Sequence, residues 1–257
     1  MVGGLEKFRE YFKDYSGNYV IIGGTACDMI LSDAGLIARA TTDIDIILVV
    51  EALSPEFVKQ FWEFIKAGKY ERSEESSGER KYYRFLKPAT EDFPNQVELF
   101  SKVPDILTLD KDVRLTPIPV DDDLSSLSAI LMDEEYYRYV IEQSSQQGEV
   151  KRANPAALIC LKAFAYLNMR KQKEQGERID SNNIKKHKGD VFRLMLMLST
   201  DNIYDVPASI KLSLQEFAEV VKNELPDKAF FKNIGAPNID GAELFQVFIK
   251  GFGLKVV

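Results

Sequence analysis

The sequence predicts an α+β protein whose first half carries a sheet and whose second half is helical. In the first half, "NYVIIGG" and "DIDIILVV" are apolar runs typical of buried strands, and "TACDMILSDAG" between them has a helical pattern that ends at Gly35. In the second half, Asn154 followed by Pro155 indicates the start of a long helix. Pro207 and Asn238 lie near the starts of two further apolar-periodic runs. The two halves are therefore expected to fold differently.

Caps and alternation predict the remaining elements of the first half. Residues 5–15 have helical periodicity, and "SPEFVKQFWEFIKAG" is predicted to be a helix that Ser54 caps and Pro55 begins, with Trp62 in the core. "RKYYRFL" and "NQVELFS" are expected to be strands, residues 116–120 a short strand, and "DDLSSLSAILMDEEYYRYVIEQ" a helical connector. The polar stretches "SEESSGER" and "SSQQGE" are predicted to be mobile loops. We therefore expect a first domain over 1–120, a connector over 121–150 and a helical domain over 151–257.

Composition and cysteine usage are typical of a soluble globular protein. Hydrophobic residues make up 45% of the 257 residues and charged residues 28%, which excludes global disorder and fibrous classes. No apolar run approaches the roughly 18 residues of a membrane span, and no signal-peptide pattern is seen. Cys27 and Cys160 each lie in an apolar helical pattern, so they are predicted to be buried thiols. We expect a cytoplasmic protein with no membrane partner.

Charge is distributed unevenly along the chain. The net charge of -7 argues against a general polyanion-binding surface, but residues 151–190 contain ten Lys and Arg against four Asp and Glu. This segment thus carries +6 and the remainder -13. Two interpretations stay open: a solvated helix face, or a basic patch that faces a phosphate.

Two aspartates begin the second apolar run. Because side chains alternate along a strand, Asp43 and Asp45 are expected on one face, and Ile44 and Ile46 on the other. The residues that follow are apolar on both faces. This pattern predicts a buried strand of which only the first residues reach a polar site. Two adjacent carboxylates repel each other unless a cation lies between them, and Mg²⁺ prefers such oxygen ligands.

A pair of glycines marks the end of the first strand. Gly23 and Gly24 remove side chains where a strand turns into a helix, so a phosphate could approach backbone N–H groups at the helix start. Thr25 could add a hydroxyl donor. A dinucleotide-binding site is disfavoured, because that site needs G-x-G-x-x-G and an acid at the far end of the second strand. Zinc sites, P-loops and G-x-S-x-G elbows also lack their residues here.

Together these residues resemble a known superfamily. The glycine pair, "DIDI" and a third acid, Glu98 in "QVELFS", are similar to the nucleotidyltransferase superfamily with the DNA polymerase beta-like fold. Within it, "GGTA", "RATTDIDI" and a later lysine-bearing helix look most similar to the AbiEii-like branch of abortive-infection and toxin-type proteins. The resemblance covers residues 17–100 well and 154–192 loosely. In a later element of that branch, Lys186 and Asp190 fit, but His187 stands where an aspartate is expected.

The resemblance implies a mixed sheet flanked by helices and a metal-dependent transfer reaction. A nucleoside monophosphate would move from an NTP to a hydroxyl acceptor with release of pyrophosphate. Two Mg²⁺ or Mn²⁺ ions would be held by the catalytic residues Asp43, Asp45 and Glu98. The triphosphate would be bound by Gly23, Gly24, Thr25, Arg39, Thr42, Lys162 and Asp190. The acceptor could be an RNA end, a protein or a small molecule, and the branch admits an antitoxin partner.

The sequence leaves alternatives for several of these residues. Glu98 could lie on a solvent face, and Lys162 could snorkel to solvent instead of meeting a phosphate as the helical domain closes over the triphosphate. Asp190 is expected to lie at a helix start or to form a salt bridge, and His187 is expected to be exposed. As a whole, the chain could be a catalytically silent nucleotide-binding or toxin–antitoxin-type interaction protein.

Overall fold

The computed structural model describes residues 2–77, 80–100 and 133–255, with residues 72–77 and 80–83 described by their backbone alone. These residues form two compact units. The first unit comprises residues 2–28, 40–100 and 144–153, and the second comprises 29–39, 133–143 and 154–255. The predicted α+β class is confirmed. The domain boundaries of the sequence analysis stay a prediction.

Helices and strands alternate as far as residue 68, and three strands follow. In chain order these elements are α1 (Leu5–Phe12), β1 (Tyr19–Ile22), α2 (Gly23–Asp33), β2 (Asp43–Leu48), α3 (Pro55–Gly68), β3 (Glu71–Ser77), β4 (Arg80–Leu86) and β5 (Gln96–Phe100). After the undescribed residues 101–132 come α4 (Glu134–Glu142), β6 (Ser144–Gln147) and β7 (Val150–Ala153). The later described elements are α5 (Pro155–Glu174), α6 (Ser181–Met195), α7 (Ala208–Val221), α8 (Lys228–Asn233) and α9 (Gly241–Gly251).

The strands of the described residues form one mixed seven-stranded sheet in the order β3-β4-β5-β2-β1-β7-β6. β2 pairs in parallel with β5 and antiparallel with β1, and β1 pairs in parallel with β7. The pairs β3–β4, β4–β5 and β6–β7 are antiparallel. β2 therefore lies at the centre of the sheet, which explains why its residues after Asp45 are apolar and buried on both faces.

Aromatic side chains fill the core of the first unit. The rings of Phe8 and Phe12 on α1 lie 4.6 Å apart between centroids, and Phe12 meets Phe64 of α3 at 5.3 Å. Tyr19 of β1 meets Phe8 edge-on at 5.3 Å. Trp62 is buried as predicted. Each such pair contributes about 0.5–1.5 kcal/mol beyond area burial, so α1 and α3 are held firmly beside the sheet that carries Asp43.

Two segments that the sequence analysis assigned to mobile loops contain strands. The first five residues of "SEESSGER" belong to β3, and "SSQQ" is β6, which pairs with β7 across a turn at Gly148. Both strands lie at an edge of the sheet, where polar side chains can face water while one side of the backbone is paired. The loop prediction was therefore wrong for both. Residues 116–120 and the connector before residue 133 lie outside the described residues.

The second unit is helical in its described residues, apart from its loops. Asn154 caps α5 by accepting a hydrogen bond from Ala157 N at 2.9 Å, and Pro155 is its first residue, as predicted. α5 packs against both α6 and α7. Cys160 on α5 is a buried free thiol, and so is Cys27 on α2, which confirms the sequence prediction for both. Among the described helices, none is long and apolar enough to cross a membrane.

Candidate functional site

The pairing of β2 with β5 places three acidic residues on one face of the sheet. Asp45 lies directly opposite Glu98, and Asp43 lies opposite Gln96. Opposite residues on neighbouring strands point to the same face, and Asp43 shares that face because it is two residues from Asp45. The two aspartates are half-buried, whereas only 5% of Glu98 is exposed. We call Asp43, Asp45 and Glu98 the carboxylate cluster.

A glycine turn lies against this cluster. Ile22 at the end of β1 pairs with Asp45, and Gly23 follows with a φ of 68°. A Cβ atom at Gly23 would lie 1.7 Å from Asp45 Oδ2, so no other residue fits there without displacing the carboxylate. Because α2 begins at Gly23, Gly24 and Thr25 belong to its first turn, whose N–H groups have no partner within the helix.

Two threonines hold the start of β2. The hydroxyl of the buried Thr25 donates a hydrogen bond to the backbone carbonyl of Asp43. The hydroxyl of Thr42 donates to Asp43 Oδ1 at 3.0 Å. Thr25 thus ties the first turn of α2 to β2, and Thr42 orients the Asp43 carboxylate. Direct contact of Thr25 or Thr42 with a phosphate stays a prediction.

Arg84 on β4 contacts the third acid of the cluster. It pairs with Glu98 across β4 and β5, and its Nε and Nη2 lie 2.8 and 2.7 Å from Glu98 Oε1. Gln96 Nε2 donates to the same oxygen at 2.7 Å. Only 7% of Arg84 is exposed, so the ion pair is buried. The sequence analysis missed Arg84, because its one signal is an arginine within a strand pattern.

Burial and a neighbouring carboxylate both affect the protonation of Glu98. Burial raises the pKa of the Glu98 carboxyl well above its ordinary value, and the neighbouring Asp45 carboxylate raises it further. Arg84 acts in the opposite direction on that pKa but does not cancel the rise. A cation beside Asp45 and Glu98 would relieve the part of this shift that arises from their mutual repulsion.

The carboxylate cluster offers oxygen ligands to a divalent ion. Half-buried carboxylates that repel one another form the oxygen-rich donor set that Mg²⁺ and Mn²⁺ prefer. In the part of the chain that the structure describes, however, no group of three or more His, Cys, Asp and Glu side chains is arranged to hold a metal ion. Glu98 Oε1 is occupied by Arg84 and Gln96. Asp43 and Asp45 therefore fit the ion best, with Glu98 beside them.

A second group of charges lies within the second unit, around Asp190 of α6. Lys162 Nζ and Arg39 Nη2 lie 3.4 and 3.8 Å from Asp190 Oδ2, and Arg193 Nη1 lies 3.4 Å from Oδ1. We call these four residues the Asp190 cluster. One buried carboxylate thus faces three basic side chains.

The structure settles three of the sequence alternatives. Lys162 does not snorkel to solvent, because only 4% of it is exposed and it pairs with Asp190. The salt-bridge role predicted for Asp190 is confirmed. The expectation that His187 is exposed was wrong, since 5% of it is exposed. His187 shares the buried face of α6 with Asp190 and Leu194 at helical spacing.

Comparison with known proteins gives structural matches alone. No protein-family model matches the chain, and no curated protein matches it. Solved structures that resemble it include two with 14% sequence identity and a TM-score of 0.41 each. They are the Megavirus polyadenylate synthase and an antigenic nucleotidyltransferase-like protein from Paracoccidioides brasiliensis.

The two matches differ in how much of the other protein they cover. The first covers 86% of this chain and 36% of the Megavirus chain, so this chain spans well under half of that protein's length. The second covers 94% of this chain and 97% of the fungal chain. The solved structures that this chain resembles thus include a nucleotidyltransferase-like protein. What the chain does must be inferred from its own residues.

Proposed function

We propose that the chain is a metal-dependent nucleotidyltransferase that moves a nucleoside monophosphate from an NTP to a hydroxyl acceptor and releases pyrophosphate. The observation that carries the proposal is the register of β2 and β5, which sets Asp45 opposite Glu98, with Gly23 packed against the Asp45 carboxylate. Carboxylates beside a glycine turn at a helix start combine a cation site with an anion site.

Each residue of the carboxylate cluster has a role in the proposal. Asp43 and Asp45 would hold Mg²⁺ or Mn²⁺, and Thr42 keeps the Asp43 carboxylate in place. When bound, the divalent ions neutralise phosphate charge and orient the reacting oxygens. Glu98, whose pKa is raised, would accept the proton of the acceptor hydroxyl. The backbone N–H groups of Gly24 and Thr25 would donate to phosphate oxygens.

The resemblance to nucleotidyltransferases also implies that residues of the Asp190 cluster bind the triphosphate. Arg39 and Lys162 would then contact its phosphates as cations. Asp190 would hold the two cations in position. The AbiEii-like branch, a toxin role and an antitoxin partner are finer hypotheses, supported by the resemblance of "GGTA" and "RATTDIDI".

A second candidate function is a catalytically silent nucleotide-binding or interaction protein. The ion pair of Arg84 with Glu98 favours this candidate, because a carboxylate already paired with a guanidinium is a weaker ligand for a metal ion. The transfer assay that follows separates the two functions.

The test of the proposal is transfer of label from each of the four α-labelled NTPs with Mg²⁺ or Mn²⁺. An RNA mixture, a protein mixture and a set of hydroxylated small molecules serve as acceptors, and pyrophosphate is measured in parallel. We expect transfer with one acceptor class, and a loss of about 10²- to 10³-fold in Asp45→Asn. The matched control is Asp14→Asn, an exposed aspartate of the first unit. Binding of NTP without transfer to any acceptor would favour the silent protein.

A further inference from the structure

The second unit contains a groove that none of the roles above uses. Its volume is about 430 Å³, and α5 and α6 form its sides. This volume lies within the roughly 300–1,000 Å³ of small-ligand sites in proteins. The groove shares no residue with the Asp190 cluster or the carboxylate cluster.

Basic side chains dominate the groove. Arg170 and Lys173 line it from α5, and Lys185 and Lys188 line it from α6. Two acids, Glu174 and Glu224, also line it, which leaves a surplus of two positive charges. A small-molecule site with this balance selects anions.

The cations differ in how far the protein itself neutralises them. Lys188 Nζ lies 2.8 Å from Glu224 Oε2 and lowers the pKa of that carboxyl through a hydrogen bond. Arg170 Nη2 lies 3.5 Å from Glu174 Oε1. Lys173 donates a hydrogen bond to the neutral hydroxyl of Ser181. Lys185 is exposed and forms no ion pair within the described residues. Lys173 and Lys185 are thus the cations that an incoming anion would meet.

The groove also has an apolar and planar component. Tyr166 and Ile184 line it beside the cations. The Arg170 guanidinium lies over the Tyr166 ring, 5.7 Å from the centroid, and its Nη1 donates to the Tyr166 hydroxyl at 3.2 Å. The guanidinium is therefore held as a fixed plane, a surface on which a nucleobase can stack.

The start of α6 borders the groove. Ser181 is the first residue of this 15-residue helix and lines the groove. The Asp180 carboxylate caps the helix and accepts a hydrogen bond from Asn182 N at 2.9 Å, so the anion preference of the groove rests on its basic side chains. Charge, volume and a planar apolar component thus occur together in one groove.

We propose that this groove binds a nucleoside monophosphate unit, either as a free nucleotide or as the end of a single-stranded polynucleotide. Lys173 and Lys185 contact the phosphate, and Arg170 supports the base. The proposal does not depend on nucleotidyl transfer, because it involves neither the carboxylate cluster nor a metal ion.

The test measures binding to the full chain in EDTA, so that metal-dependent binding is absent. The probes are adenosine 5′-monophosphate, a short single-stranded oligoadenylate, inorganic phosphate and adenosine. We expect the nucleotide or the oligonucleotide to bind more tightly than phosphate or adenosine. Tighter binding of the oligonucleotide would identify a strand end as the source of the phosphate, and equal binding would identify the free nucleotide.

Adjacent lysines provide the matched variants. Lys185→Ala should weaken binding about tenfold, because it removes a charged contact to the phosphate. Lys186→Ala removes the same charge from an exposed neighbour that does not line the groove, and should change affinity by less than about twofold. Both residues are exposed, so both variants should fold.

Three results would overturn the proposal. The first is the absence of nucleotide and oligonucleotide binding in EDTA. The second is equal weakening by Lys185→Ala and Lys186→Ala, which would indicate a diffuse effect of charge. The third is inorganic phosphate binding as tightly as the nucleotide, which would leave no role for the planar component.

Discussion

The carboxylate cluster and the Asp190 cluster bury charge in opposite proportions. In the first, three acids share one face of the sheet, Arg84 pairs with one of them, Glu98, and the pKa of Glu98 is raised. In the second, one acid meets three bases. A buried charge cluster that does not balance is stabilised by a ligand of the opposite sign. In the proposed function, the first cluster takes a cation and the second contacts an anion.

The largest expected difference between the clusters is in stability. Arg84→Met removes the guanidinium that makes two contacts with the buried Glu98, so it should lower the free energy of unfolding by about 3 kcal/mol. Arg193→Met leaves Lys162 and Arg39 beside Asp190, so it should cost about 1 kcal/mol. Urea unfolding measures both. Equal losses would contradict the view that the clusters differ in their balance of charge.

A smaller effect is expected at the glycine turn. Gly23→Ala places a Cβ where Asp45 Oδ2 now lies and strains a φ of 68°, so it should cost about 2 kcal/mol and displace the carboxylate. Gly17→Ala is the control, since no atom lies within 4 Å of its Cβ position. The free energy of unfolding and the affinity for triphosphate in the presence of metal should both fall in Gly23→Ala and stay unchanged in Gly17→Ala. Unchanged metal-dependent binding in Gly23→Ala would mean that the position of Asp45 is unimportant.

The smallest of these effects is the change in triphosphate affinity expected when Lys162 of the Asp190 cluster is replaced. Lys162→Met keeps most of the side-chain volume but removes a charge, and should weaken triphosphate binding about tenfold. Lys171→Met, on an exposed position of the same helix, should have less than about a twofold effect. Calorimetry with both variants is the measurement. Equally small effects would assign Lys162 to a structural ion pair with Asp190.

Local sequence periodicity correctly predicted individual strands and the face on which their side chains lie. The alternation in "DIDIILVV" places Asp43 and Asp45 on one face, and the glycines predict the end of β1. The buried position of His187 could have been predicted from its helical spacing to the apolar Val191 and Leu194 on α6, but the isolated histidine was interpreted without that helix. In this case a signal existed and was missed.

The pairing of strands that are distant in the sequence could not be predicted from local sequence patterns. The register that sets Asp45 opposite Glu98 joins β2 and β5, which lie far apart in the sequence. No local sequence pattern specifies that register. The contact of Arg84 with Glu98 depends on that same pairing. The edge strand β6 was missed because its four polar residues resemble a loop until a partner strand is known.

The central claim is that the carboxylate cluster binds a divalent ion that is needed for the triphosphate. Calorimetric titration of a non-hydrolysable NTP into the wild type, Asp43→Ala and Asp45→Ala tests it most directly, with Mg²⁺ and then with EDTA. We expect binding in the wild type with Mg²⁺, and a loss of about tenfold or more both in EDTA and in each variant. Equal affinity in EDTA and in Mg²⁺, with both variants unchanged, would contradict the claim.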